Sequence, residues 1–207
     1  MRYIDKSDRC LDFDNYIRQE SLTHWDQCDT QLKLVLHQHL WREQQGLCIY
    51  CQQQIPPKKD KESSQAIRSH IEHVRPRTTY PELTFVYCNL SVSCEGFDCK
   101  TTDKKPKKEF CEHRKADEYD EDNFLNPMEL KEIEDYFFYD IEGKIHPHPQ
   151  ASFPEKANYM IKILDLNHSD LIDMRKRVYE QAISGEIELI SAVFPPFCSM
   201  LKQFDLI

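Results

Sequence analysis

Four short motifs between residues 48 and 115 decide how this sequence folds. They read Cys48-Ile-Tyr-Cys51, Ile71-Glu-His-Val-Arg-Pro76, Asn89-Leu-Ser-Val-Ser-Cys94 and Cys111-Glu-His-Arg-Lys115. The motifs supply four cysteines, a set that could hold a zinc ion. Between these cysteines lie a Glu-His pair, an asparagine and a second histidine, which are residue types that bind a catalytic cation and activate water. The stretch therefore predicts two neighbouring metal centres with different ligands.

The length and cysteine content favour a metal-binding protein of the cytoplasm. At 207 residues and 24.8 kDa, the chain can bury one core without disulfides. It contains no apolar run as long as a signal peptide or a membrane span, so we expect a soluble protein. Nine cysteines are many for a cytosolic chain, where disulfides are rare, and metal binding explains several of them better.

Charge is distributed unevenly along the chain. The net charge of −9 is unusual for a protein that binds phosphate groups. Residues 100–115, however, contain seven basic side chains against three acidic ones, and this segment predicts phosphate contacts inside the motif region. Residues 117–142 then carry eleven acidic side chains and a single basic one, Lys131. We interpret this acidic block as a solvated face, with a docking surface or a phosphate-repelling patch as alternatives.

The predicted elements around the motifs follow the order strand, strand, helix. Apolar residues at helical spacing from Thr30 to Gly46 predict a helix that leads into the first cysteine pair. We predict a first strand from Ala66 to Val74, a second from Leu83 to Val86, and the start of a helix from Cys111 to Ala116. The first cysteine pair could also be a redox pair, but the neighbouring segments do not alternate strand and helix as in thioredoxins.

The flanks divide the chain into three predicted regions. Residues 1–47 form an N-terminal helical flank, residues 48–127 the motif core with its basic insertion, and residues 128–207 a C-terminal region. In the last region, residues 136–145 predict a hairpin, and two amphipathic helices follow. The apolar tail after Pro196 is either a last core helix or a partner-binding segment.

The central residues suit the hydrolysis of phosphodiester bonds. His73 is the natural base, because an imidazole titrates near neutral pH and can take a proton from water. Glu72 supplies an oxygen ligand of the kind that Mg²⁺ prefers, and His113 can complete the protein ligands of the cation. Asn89 can hydrogen-bond a backbone carbonyl and so fix the loop that carries His73.

These motifs resemble the signature of HNH endonucleases, which combine a ββα-metal fold with a cysteine zinc knuckle. The resemblance implies an α+β core wrapped by N- and C-terminal helices, a structural Zn²⁺ and a catalytic Mg²⁺ or Mn²⁺. It assigns catalytic roles to His73, Asn89 and His113, cation binding to Glu72 and His113, and zinc binding to Cys48, Cys51, Cys94 and Cys111. Contacts to nucleic acid are expected from basic residues near these motifs, namely Arg75, Lys104, Lys105, Lys107, Lys108, Arg114 and Lys115.

The sequence on either side of the motifs resembles one particular group of HNH endonucleases. Residues 124–129, the turn at 143–145, and residues 163–168 with Arg175 downstream are similar to the HNH subunit PtuB of Septu and retron-associated anti-phage systems. The similarity includes residues 1–4 and so covers nearly the whole chain. It implies a cytoplasmic bacterial nuclease that acts on nucleic acid, with DNA as the expected substrate, and that works with a PtuA-type ATPase subunit.

Departures from the HNH pattern leave two ligand assignments open. A long lysine-rich insertion separates Cys94 from Cys111, so Cys99 is a rival fourth zinc ligand. Many HNH chains place the last cation ligand directly after the final cysteine, which makes Glu112 a rival of His113. A non-catalytic zinc module that binds nucleic acid or acts as a scaffold is the alternative function, because a zinc knuckle and a lysine-rich loop would look the same without chemistry.

Overall fold

The computed structural model describes residues 1–56, 69–96, 109–186 and 194–207. Helices and strands in these ranges are α1 (Leu11–Gln19), α2 (Thr30–Glu43), β1 (Ser69–His73), β2 (Leu90–Cys94), α3 (Glu112–Lys115), β3 (Phe137–Tyr139), β4 (Ile145–Pro147), α4 (Pro154–Ile163), α5 (Ser169–Ile183) and α6 (Cys198–Gln203). The strands pair antiparallel as β1 with β2 and β3 with β4. The fold therefore mixes helices with small sheets, as expected for the α+β class. No helix in the described ranges is both long enough and apolar enough to cross a membrane.

Helix α2 begins at Thr30, as the sequence predicted, and ends at Glu43, shortly before the predicted stop at Gly46. Asp29 caps its first turn, because the Asp29 carboxylate accepts hydrogen bonds from the amides of Gln31 and Leu32. The chain leaves the helix through Gly46, whose φ of 73° is a conformation that favours glycine. The turn after the helix places Cys48 and Cys51 beside the β1–β2 sheet, where the amide of Ile49 donates to the Val92 carbonyl.

The β1–β2 sheet positions the motif residues. Ser69 pairs with Cys94 at one end, and His73 pairs with Leu90 at the other. Strand β2 is buried at every position, and the Gln44 side chain of the α2 C-terminus accepts from the Val92 amide at 2.7 Å and donates to the Val92 carbonyl at 2.8 Å. Buried backbone groups need partners, so this side chain takes the place of a neighbouring strand.

The predicted second strand is wrong. The segment from Leu83 to Val86 starts at the last residue of the 3₁₀ helix Pro81–Leu83 and leads into a second one, Tyr87–Asn89, and the strand begins only at Leu90. Pro81 fixes a helical φ at the start of the first turn, which the Thr84 hydroxyl closes by donating to the Pro81 carbonyl at 2.7 Å. The first strand is present as β1, while residues 66–68 of the prediction lie outside the described ranges.

The C-terminal predictions agree with the structure. The hairpin is β3–β4, and the two amphipathic helices are α4 and α5. Met200 and Leu201 of α6 are fully buried, so the tail contains a core helix rather than an exposed apolar segment. The hydrophobic core includes residues from all three predicted regions, for example Phe13, Val92 and Met160.

Candidate functional site

Four cysteine side chains from three parts of the fold meet in the interior. Cys48 and Cys51 lie in the turn after α2, while Cys94 ends β2 and Cys111 precedes α3. Their Sγ atoms all lie within 4.8 Å of one another. The Cys48–Cys111 distance is 3.9 Å and the Cys51–Cys94 distance is 3.8 Å. Four sulfurs bound to one zinc at about 2.3 Å would lie roughly 3.8 Å apart, so the cluster has the size of a tetrahedral zinc site.

Local hydrogen bonds shape this cluster. The Cys48 amide donates to the Gln53 carbonyl at 3.0 Å, and Gln52 adopts a φ of 64° as the turn reverses. The Cys94 amide points at the Cys48 Sγ, 3.4 Å away, a contact that stabilises a thiolate. Burial raises the pKa of the Cys94 and Cys111 thiols well above the ordinary value. A cation is therefore the natural means of keeping these sulfurs ionised.

The clustered residues are the four cysteines expected from the sequence. All four are buried free thiols in the structure. The rival ligand Cys99 lies outside the described residues. Because Cys111 already completes a set of suitable size, the arrangement favours Cys111 as the fourth ligand.

A second group of possible metal ligands lies next to the first in the chain. It consists of His70 on β1 and of Glu112 and His113 in the first turn of α3, with ligand atoms all within 4.8 Å of one another. The His70 Nε2 atom is 3.0 Å from a Glu112 carboxylate oxygen, and the His113 Nδ1 atom is 3.9 Å from the same oxygen. Cys111 has a φ of 59°, so the backbone changes direction at this residue. The Cys111 side chain is buried, whereas the side chains of Glu112 and His113 are partly exposed.

The side chains of the second cluster are partly buried but still reach solvent. The side chains of His70 and Glu112 are each 26% exposed, and that of His113 is 38% exposed. Although burial opposes both shifts, the contact between His70 and Glu112 raises the pKa of the imidazole and lowers the pKa of the carboxyl group. Two imidazoles and one carboxylate can bind a divalent cation and leave coordination positions for water and a phosphate oxygen.

Glu72 and Lys115 differ from their predicted placement. The Glu72 carboxylate accepts a hydrogen bond from the Tyr50 hydroxyl at 2.7 Å and lies 3.1 Å from the Lys115 ammonium. Glu72 is only 3% exposed and Lys115 only 1%. Burial raises the pKa of Glu72, and the charge of Lys115 opposes that shift. The predicted cation ligand and the predicted phosphate contact thus face each other in the interior, while His70, Glu112 and His113 form the cluster.

His73 is held as a neutral imidazole at the end of β1. Its Nε2 atom lies 3.0 Å from the Thr84 carbonyl oxygen, and its ring meets Trp25 edge-on at 4.7 Å. A carbonyl only accepts hydrogen bonds, so Nε2 carries the proton and Nδ1 keeps its lone pair. Burial lowers the pKa of His73 to about 4. Strand alternation puts the buried His73 side chain on the face of β1 opposite His70 and Glu72, so it takes no part in the cluster of His70, Glu112 and His113.

Asn89 fixes the chain that follows His73. The Asn89 side chain donates to the Arg75 carbonyl at 3.0 Å and accepts from the Arg75 amide at 2.8 Å. The Val74 amide also donates to the Asn89 carbonyl at 3.0 Å. The hydrogen bond to a backbone carbonyl that the sequence suggested is therefore present, and it ties the loop after β1 to the start of β2.

The residues expected to contact nucleic acid have separate positions. The Arg75 guanidinium forms a bidentate pair with Glu129, with distances of 2.5 and 3.1 Å. Arg114 is exposed on α3, directly after His113. Four of the insertion's five lysines were expected to contact nucleic acid and lie outside the described residues, namely Lys104, Lys105, Lys107 and Lys108.

Sequence reasoning missed His70 and Tyr50. The spacing of His70 and Glu72 by two residues on a predicted strand is the signal that places both on one face. The Tyr50 hydroxyl has no such signal, because its partner Glu72 comes from a different element. His70 could have been found in advance, and Tyr50 could not.

The chain has a distant relative among proteins of known sequence. No protein-family model matches the chain. The chain is 28% identical over 157 residues to a protein of Vibrio cholerae serotype O1 biovar El Tor that is named as the proposed HNH endonuclease of retron Vc95. The match covers 73% of this chain and 67% of that protein. It supports nuclease function in general terms.

Proposed function

We propose that this protein is a metal-dependent HNH endonuclease that hydrolyses phosphodiester bonds of nucleic acid, with DNA as its substrate. The observation that carries the proposal is the adjacency of two ligand clusters, since Cys111 belongs to the four-sulfur group and Glu112 to the His70 group. The two clusters are joined by the peptide bond between Cys111 and Glu112. The cluster of sulfur ligands suits a structural ion, and the cluster of nitrogen and oxygen ligands suits a catalytic ion. The similarity to the retron Vc95 protein supports the same conclusion.

The structural ion of the proposed enzyme is Zn²⁺ bound by the four cysteines. The buried sulfurs, their separation of 3.8 to 3.9 Å and the amide directed at Cys48 fit this ion. In this role the cysteines join the turn after α2, the end of β2 and the start of α3. β1, β2 and α3 would then form the ββα-metal core of the nuclease.

The catalytic cation of the proposed enzyme is Mg²⁺ or Mn²⁺ and is bound by His70, Glu112 and His113. When bound, it would supply positive charge next to the scissile phosphate. Imidazole ligands favour Mn²⁺ over Mg²⁺, which prefers oxygen ligands. Both candidates for the last ligand, Glu112 and His113, thus have a place in the cluster, and Glu72 acts instead as an internal partner of Lys115.

His73 is the proposed general base. The HNH resemblance supports this role, and the Thr84 carbonyl at Nε2 fixes the tautomer in which the Nδ1 lone pair can accept a proton from water. Its low pKa keeps the imidazole neutral at physiological pH. Asn89 maintains the position of this base through its two hydrogen bonds to Arg75. Arg114 and the lysines of the insertion would contact backbone phosphates.

The proposed biological role is that of an effector in bacterial anti-phage defence. The resemblance of the flanking sequence to PtuB is the reason for proposing a cytoplasmic complex with a PtuA-type ATPase, and the retron Vc95 relative supports the nuclease part of this role. The acidic block at residues 117–142 offers a docking surface for a basic partner. Residues 128–207 would contribute both to the fold and to this docking.

A cleavage assay tests the proposed function. The purified protein, alone and with the ATPase, is incubated with plasmid, single-stranded DNA and total RNA in the presence of Mg²⁺ or Mn²⁺, and the cut ends are mapped. We expect metal-dependent cutting of DNA that disappears in His73→Ala and in Glu112→Gln, while zinc content stays unchanged. His148→Ala serves as the control histidine. Nucleic-acid binding without cleavage in the wild-type protein would instead support the non-catalytic zinc module.

A further inference from the structure

We propose that Arg175 is the buried positive counter-charge of the four-cysteine zinc site and the residue through which helix α5 positions Cys111. The inference rests on the zinc site of the proposed function. It concerns a side chain on a helix outside the four motifs, and it makes the C-terminal region part of the metal centre.

The burial of Arg175 requires an explanation. Its side chain is 1% exposed, and one terminal nitrogen, Nη1, donates to the Leu166 carbonyl at 2.8 Å and to the Gly143 carbonyl at 3.1 Å. The Nε atom has no hydrogen-bond partner, and no Asp or Glu of the described ranges forms an ion pair with this guanidinium. Burying an uncompensated charge is costly, so a negative group is expected nearby.

Arg175 is connected to Cys111 through one turn of the chain. The Cys111 amide donates to the Leu164 carbonyl at 2.8 Å, and Arg175 binds the carbonyl of Leu166, two residues later. Between them, Asp165 adopts a φ of 45°, so the turn is tight. Arg175 therefore holds the turn to which the fourth sulfur ligand is anchored.

A second connection leads from Arg175 to Cys51. The guanidinium carbon lies 5.7 Å from the centre of the Phe197 ring, a cation–π distance. The Phe197 amide donates to the carbonyl of Gln52 at 2.9 Å, and Gln52 directly follows Cys51. The guanidinium thus contacts two segments, at Leu166 and at Phe197, that are hydrogen-bonded in turn to the backbone at or beside a cysteine of the cluster.

The charge of the zinc site suits this position. Four thiolates around one Zn²⁺ carry a formal net charge of about −2, which is unfavourable in a buried place without a nearby cation. Burial lowers the pKa of Arg175, and interactions with Tyr139, Cys51, Cys111 and the Asp140 carboxylate oppose that change. Groups that surround a metal site typically alter metal affinity about 10- to 100-fold when they are removed.

Zinc affinity of the full chain tests the inference. Zinc dissociation constants are measured by competition with a chromophoric chelator for the wild type, Arg175→Met, Arg175→Gln and Arg175→Lys, with Arg177→Met as the matched control on the exposed face of α5. We expect Met and Gln to weaken zinc binding about 10- to 100-fold, Lys to remain within a few-fold of the wild type, and the control to be unchanged. Gln can still donate a hydrogen bond, so it decides the question if the Met variant does not fold.

The possible results distinguish a failure of the counter-charge role of Arg175 from a failure of the zinc site. If the Met and Gln variants bind zinc as tightly as the wild type, the counter-charge role is overturned while the site stands. If Lys loses zinc as strongly as Gln, the side chain acts by shape alone, and the inference is again overturned. If the wild type binds no zinc, the proposed zinc site fails, and the inference fails with it.

Discussion

The Lys115 ammonium lies 3.1 Å from the Glu72 carboxylate, and the two side chains are 1% and 4% exposed. The Tyr50 hydroxyl donates to the same carboxylate oxygen at 2.7 Å. These three residues come from the turn between Cys48 and Cys51, from β1 and from α3, so the contact joins three of the four motifs. The fold depends on both partners of such a buried ion pair. If one is removed, the other charge stays buried without a counter-charge and without water to solvate it.

Breaking this pair should destabilise the fold strongly. We expect Glu72→Gln and Lys115→Met each to lower the free energy of unfolding by about 3–5 kcal/mol, and the double variant to lose less than the sum of the two. Urea unfolding of the zinc-loaded proteins measures both quantities. Lys176→Met removes the exposed pair with Glu142 and should cost about 0–1 kcal/mol. Additive losses in the double variant would show that Glu72 and Lys115 do not interact.

The pKa of His73 predicts a loss of stability in mild acid. Its folded-state pKa of about 4 lies below the unfolded value of 6.5, so the unfolded chain binds the proton first as the pH falls. The contribution to stability is therefore present above pH 6.5 and falls by up to about 3 kcal/mol as the pH drops towards 4. His73→Gln should flatten this dependence between pH 7 and 5 in urea unfolding. An unchanged pH dependence in that variant would contradict the buried neutral imidazole.

Serine substitutions decide which cysteine completes the zinc site. We expect about one zinc per chain in the wild type and in Cys99→Ser, and little zinc in Cys111→Ser. Since metal binding by buried thiolates contributes to folding, Cys111→Ser should also unfold at lower urea concentration. Zinc content by elemental analysis is the measurement. Retention of zinc in Cys111→Ser, with its loss in Cys99→Ser, would reverse the assignment.

Glu129 should limit nucleic-acid binding by occupying Arg75. Its carboxylate holds the Arg75 guanidinium in a bidentate pair. Glu129→Gln should free that charge for one more phosphate contact, strengthen binding at low salt, and increase the slope of log affinity against log salt by about one. Fluorescence anisotropy with a labelled duplex measures the slope. Glu132→Gln removes an equal charge from the exposed acidic block, and an equal effect from that control would mean that net charge alone is responsible.

The sequence predicted the parts of the fold that depend on local patterns. Helix α2 has an N-cap and a glycine exit, and the four cysteines have recognisable spacing, so both were found in advance. The second strand was misplaced because Leu83 to Val86 is apolar enough for a strand, while Pro81 and Thr84 close a 3₁₀ turn there. Local turn chemistry overrode the strand pattern.

The candidate site was predicted only in part, because ligand partners depend on packing between elements. Glu72 was expected to bind a cation, yet its carboxylate contacts Lys115 of α3 and Tyr50 of the turn between Cys48 and Cys51. No spacing along the chain encodes that contact. In contrast, His70 shares a strand face with Glu72, and this relation follows from the two-residue period of a strand alone.

The most direct test of the two-metal account is a crystal of the protein grown with Mn²⁺, with anomalous scattering recorded at the zinc and manganese edges. The account predicts a zinc peak about 2.3 Å from the sulfurs of the four-cysteine cluster and a manganese peak between His70, Glu112 and His113. A manganese peak on the Glu72 carboxylate with Lys115 displaced, or no peak beside Glu112, would contradict it.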